Sequence, residues 1–140
     1  MSAESLRHYI SRAADFIRGM KVTQDDELYR SSSALLAIHA AVSYSDALRT
    51  GLGDRQLSND DHRTATDKLK QLLNARKYDD LSGLAHLQAL ISKKSHIAYG
   101  DRHLDLSECQ LLATKAERFV RWANQVGAKL QIKGWRHDEN

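Results

Sequence analysis

At 140 residues the chain has the length of one domain, and its 41% hydrophobic and 28% charged content is that of a globular protein. No run of about 18 apolar residues occurs, so no helical membrane span is expected, and a lone Cys109 excludes an internal disulfide or a cysteine zinc site. A net charge of +3 and a pI near 9.1 are mildly basic, with acids interspersed throughout, which argues only weakly for a nucleic-acid partner. The opening "MSAESLRHYI" lacks the basic-then-apolar pattern of a secretory signal, so a cytoplasmic location is expected.

There is no proline, few β-branched runs, and an abundance of Ala, Leu, Lys, Arg and Gln. This composition predicts helices throughout. The first is expected over residues 3–20, where Leu6, Ile10, Ala13, Ile17 and Met20 recur at helical spacing, joined by Tyr9 and Phe16. A second is expected from "TQDDE", with Thr23 as N-cap, to Gly51 or Gly53, a length of about 27 residues that suits a bundle. A third is predicted over 60–75 with Ser58 or Asn59 as cap, and a fourth over 80–99, stopping at Gly100. The fifth opens at Ser107, whose "SECQ" reads as a capping box with Gln110, and runs to residue 130. Short connections between these helices predict an all-α, antiparallel up-and-down bundle of four to five helices. It would form a single domain over 1–130, with a flexible tail over 131–140.

Polar residues on apolar faces carry the functional information. On the second helix the stripe Leu28, Leu35, Ile38, Val42 contains His39 and Asp46, with Ser43 at its margin. A base and an orienting carboxylate would look like this, and so would a satisfied polar patch in a bundle. On the fourth helix Lys94 falls inside the stripe Leu84, Leu87, Ile91, Ala98. A buried ammonium needs an acid or an exit to water. Asp46 is the expected partner in a register-fixing ion pair, and the alternative is a phosphate in a groove. His96 and His86 lie off that stripe and read as solvated. His62 shares a face with Leu69 and Leu73, as a capping or packing histidine, and Arg76 follows the same line. Trp122, flanked by Lys115 and Arg118 beside the stripe Leu112, Phe119, Val126, reads as an edge-of-core anchor, though cation-flanked tryptophans also stack bases. Walker, nucleophile-elbow, HExxH and Rossmann patterns are missing, and no two Glu-x-x-His pairs exist for a di-iron centre, so no cofactor or metal is expected.

The succession "SSSALLAIHAAVSYSDAL", a glycine-bearing loop, "NDDHRTATDKLKQLL", "LQALISKKSHIAYGD" and "LLATKAERFVRWA" resembles a HEPN domain over roughly residues 30–127. The resemblance implies a helical bundle, commonly a homodimer, of the kind found in toxin–antitoxin and other defence systems and often paired with a nucleotidyltransferase. Its active members are metal-independent ribonucleases carrying Arg-x4–6-His near the start of the last or penultimate bundle helix. There the histidine moves protons, the arginine steadies the phosphate, and dimerisation brings two motifs across a cleft. In this chain no histidine has Arg or Lys five or six positions before it. With Tyr99 set on the tyrosine of the Arg-x4-His-x-Tyr variant, Ser92 replaces the arginine and Ile97 the histidine. The expectation is therefore a member lacking the Arg-x4–6-His motif and resembling the non-nucleolytic branch. It would be a dimeric binding or regulatory domain acting with a partner protein, a nucleotide or RNA, and no membrane. Its groove candidates are His39, Asp46, Lys94 and Tyr99. A ribonuclease with a rearranged site, drawing also on His62 and Arg102, is the first alternative. A structural protein-interaction module is the second.

Overall fold

The structure, a computed structural model, describes residues 3–54, 62–100 and 103–135. Five helices build it: α1 (Ala3–Thr23), α2 (Arg30–Gly51), α3 (Ala65–Ala75), α4 (Leu84–Tyr99) and α5 (Leu106–Lys129). The fold is the expected all-α bundle.

Helix α1 is amphipathic, burying Leu6, Ile10, Ala13, Ile17 and Met20 along one stripe. It ends where the Thr23 hydroxyl donates to the Gly19 carbonyl at 2.9 Å. Thr23 thus closes α1 and does not cap α2. Asp26 takes the capping role for a short 3-10 turn, Glu27–Tyr29, by accepting from the Leu28 amide. Leu28, expected on the apolar stripe of α2, lies in that turn and is 86% exposed.

Helix α2 is the bundle's axis. It is lined all round by small side chains such as Ala34, Ala37, Ala40, Ala41 and Ala47, and a helix without a polar face is one that neighbours cover on every side. Its last turn closes with Gly53 in the left-handed region (φ 89°). The Asp54 amide then returns to the Arg49 carbonyl and the Gly53 amide to Thr50, a Schellman end. The same double return closes α3 and α5, with Lys77 (φ 57°) and Gln131 (φ 50°) in the glycine position.

Helix α5 begins two residues ahead of the expected cap. Asp105 accepts from the Glu108 amide at 2.9 Å, and Ser107 only donates its hydroxyl to that same carboxylate. Helix α4 starts at Leu84, later than expected: Asp80 accepts from the Ser82 amide and hydroxyl, the Leu84 amide returns to the Leu81 carbonyl, and Gly83 lies under Trp122, where a Cβ would sit 2.2 Å from the indole. Its stripe is Leu84, Leu87, Leu90 and Ile91, and Ala98 is exposed. Within 131–135, expected to begin a frayed tail, Ile132 and Trp135 are packed. Ile132 is buried against Gly51, and Trp135 covers Gly127 and donates its indole N–H to Asn124 Oδ1 at 3.1 Å.

The contacts fix the helix directions. Cys109 at the start of α5 donates its thiol to the Arg30 carbonyl at the start of α2, so these two helices run side by side. Ile97 at the end of α4 shares a groove with Glu108 at the start of α5. Helix α4 therefore runs antiparallel to both, and its second half lies against the first half of α2. No helix among the described residues is long and apolar enough to cross a membrane.

Candidate functional site

From Ala37 to Thr50 every residue of α2 is buried except His39 and Asp46. Seven residues apart, they fall on one face, about 10 Å apart along the axis. They mark the strip where the central helix comes to the surface, between α1 and α4.

His39 stands against Phe16 of α1, with ring centroids 5.7 Å apart, and has Lys94 of α4 near it. Burial, and then the Lys94 ammonium, lower its pKa below the ordinary histidine range, so the ring is held neutral. Lys94 is half-buried. Among the described residues no carboxylate lies within ion-pair distance of it. The expected Lys94–Asp46 pair is therefore not formed. Running antiparallel, α4 brings Lys94 level with His39 and leaves Asp46 two turns away.

Asp46 has a different environment. Its carboxyl is pushed up to about 6, chiefly by burial, against the opposing pull of Arg49 and Arg12. Its Oδ1 is buried with no hydrogen-bond partner. A carboxyl so placed is half protonated just below neutrality, and the proton is what makes the burial tolerable.

Close to Asp46 lies the residue that pattern reasoning overlooked. Arg49 is 1% exposed, the bulkiest of the fully buried side chains, and it donates from Nε and Nη2 to Asp54 Oδ2, each at 2.7 Å. The signal was available. An arginine on a helix buried all round needs an acid, and Asp54 follows five residues later, beyond the glycine that turns the chain back.

Tyr99, at the end of α4, is 88% exposed. Of His62 only the backbone is described, in a 3-10 turn (His62–Thr64) ahead of α3. Arg102 lies outside the described residues. His96 is exposed, as expected. Trp122 is 4% exposed and donates its indole N–H to the Asp80 carbonyl at 3.0 Å, which makes it an anchor of the core and leaves no ring face for a base. No group of three or more His, Cys, Asp or Glu side chains among the described residues is placed to hold a metal.

Comparison of the chain with protein-family models, with curated proteins and with solved structures gives no match. The site therefore rests on its own chemistry. Arg55 stands seven positions before His62, an Arg-x6-His spacing, so the motif is not absent by spacing. It falls ahead of α3, whereas the HEPN pattern places it at the start of the last or penultimate helix. Residues 55–61 lie outside the described residues.

What the arrangement can do follows from its charges. Lys94 offers a cation at the rim of an apolar strip, and the neutral His39 beside it can donate one N–H or accept at the other nitrogen. An anion of modest size, a phosphate above all, satisfies both.

Proposed function

We propose that this chain is a HEPN-like binding domain, dimeric and without hydrolytic chemistry of its own. It takes a phosphate-bearing ligand, a nucleotide or RNA, in the strip between α1 and α4. The observation that carries the reading is Lys94, half-buried beside His39 with no carboxylate to neutralise it among the described residues. An ammonium with no carboxylate to pair it is free to pair with a ligand's anion. In the reading, Lys94 supplies the charge, His39 a hydrogen bond, and Phe16 the wall that holds the ring in place. A role in a defence or toxin–antitoxin system, alongside a partner such as a nucleotidyltransferase, follows from the HEPN resemblance alone.

The test is a titration of the labelled protein with ADP and, separately, with decauridylate, following backbone amides of α2 and α4. The expected result is saturable binding with shifts centred on His39 and Lys94, weakened at least tenfold in Lys94→Met. Unaltered binding in Lys94→Met, together with lowered stability, would assign the lysine to the fold and end the ligand reading.

A ribonuclease with a rearranged site has specific support as a second reading. His39 and Asp46 stand on one face of α2, the imidazole held neutral by burial and Lys94 and the carboxyl raised to about 6 by burial, states that general acid–base chemistry can use, and the Arg55–His62 spacing lies in the same chain. Metal-independent cleavage of RNA, abolished in His39→Ala or His62→Ala, is the result that would favour it.

A further inference from the structure

A second furrow runs on the other side of α4, along its seam with α5. At one end its floor is aliphatic, built from Ile97, Leu104 and Leu112, with Leu111 56% exposed at the lip. Lys93 and Lys115 stand on its two banks. Farther along, the seam opens into a shallow polar depression that holds His86, Arg118 and Arg121. Lys115 joins the two parts. Burial, and then the charges of Lys115 and Arg118, lower the His86 pKa. The α5 residues facing the seam, Glu108, Leu111, Lys115, Arg118, Trp122 and Gln125, recur at three- and four-residue intervals and so form one stripe. That stripe is about 26 Å long. Among the described residues that line it, four cations, Lys93, Lys115, Arg118 and Arg121, stand against the single carboxylate of Glu108.

We propose that the α4–α5 seam is the docking site of a partner protein's acidic amphipathic helix. Its apolar residues would pack on the Ile97–Leu112 floor, and its carboxylates would pair with Lys93, Lys115, Arg118 and Arg121. Three features select this occupant. The aliphatic end has a volume near 140 Å³, below the roughly 300–1,000 Å³ of small-molecule sites, and suits one or two inserted side chains. A second copy related by a two-fold axis would set the four cations against their own images. A single-stranded nucleic acid binds through its charged backbone and by stacking bases on rings, and the aliphatic floor of Ile97, Leu104 and Leu112 offers it neither. The proposal is independent of the phosphate reading, since it concerns the opposite flank of α4 and none of the same side chains.

The experiment uses the full chain, isotopically labelled, and three probes. The first is an acidic peptide of about five helical turns, with leucine at heptad a and d positions and glutamate elsewhere. The second is the same peptide with lysine for glutamate, and the third is decauridylate. The expected result is that only the acidic peptide shifts the amides of Lys93–Ile97 and Glu108–Gln125. Its affinity should fall threefold or more in Lys93→Glu/Lys115→Glu and in Leu111→Asp, all exposed or rim positions that leave thermal unfolding in place. Lys70→Glu, on the exposed side of α3, should change it by less than threefold. The proposal is overturned if the acidic peptide does not bind or if the seam variants bind it within threefold of the parent. Equal weakening by Lys70→Glu, or seam shifts produced by decauridylate instead, overturns it as well.

Discussion

Two polar features of α2 lie about three turns apart and meet burial on opposite terms. Near the helix end, Arg49 is sealed from water and its charge is answered in full by Asp54, across a loop whose backbone is tied to the same arginine. Nearer the start, His39 and Lys94 are half-exposed and the Lys94 charge helps to keep the His39 ring neutral, while Asp46 between the two features keeps an oxygen with no partner. The first arrangement closes the helix. The second lies where the axis of the bundle reaches the surface. The contrast separates polar groups that serve the fold from those available to a ligand.

The largest expected effect tests the sealed side. Asp54→Ala strands the Arg49 guanidinium in the interior and should cost about 3–5 kcal/mol. Urea unfolding measures it. Replacing both partners, Arg49→Leu with Asp54→Ala, should cost less than Asp54→Ala alone, because no unpaired charge remains. A loss under about 1 kcal/mol for the single change would remove the contrast.

Asp46 comes next. Its folded carboxyl titrates near 6 against an ordinary 3.8, so the native state holds the proton more tightly than the unfolded chain does. The penalty is complete above about pH 6 and is relieved as pH falls toward 3.8. Asp46→Asn should therefore stabilise the protein by about 2–3 kcal/mol at pH 8. The gain should shrink as pH falls through that window, as thermal or urea unfolding at a series of pH values would record. A variant whose advantage is independent of pH would show that the carboxylate is not the cause.

Lys94→Met is expected to move stability by less than about 1 kcal/mol, since it replaces a half-buried stem with one of similar volume and breaks no ion pair. Its effect belongs to binding. The smallest change lies off both regions. Lys77→Gly puts glycine at a left-handed C-terminal position and should add up to about 1 kcal/mol while leaving the pH profile and ligand affinity alone.

Much of the bundle was legible because periodicity reports helix faces directly. Leu6, Ile10, Ile17 and Met20 occupy the buried stripe they predict, and Gly53 and Gly100 end their helices. The start of α2 was not legible. Leu28 continues the apolar spacing, but Asp26 captures the Leu28 amide and turns the chain before the helix begins. The site was half legible. His39, Asp46 and Lys94 were identifiable as polar residues in apolar company, which is a property of single helices. Which of them meet depends on the register between helices, and one-dimensional spacing does not contain it. Antiparallel packing sets Lys94 beside His39 instead of Asp46, and burial of α2 on all sides draws in Arg49 as well.

The most direct test of the ligand reading follows the His39 ring by NMR as pH is varied, in the free protein, in Lys94→Met, and with saturating decauridylate. Because Lys94 helps to lower the His39 pKa, its removal should raise that value, and an anion seated between the two should raise it further in the parent protein. A His39 titration unmoved by bound decauridylate would contradict the assignment of this strip as the phosphate site.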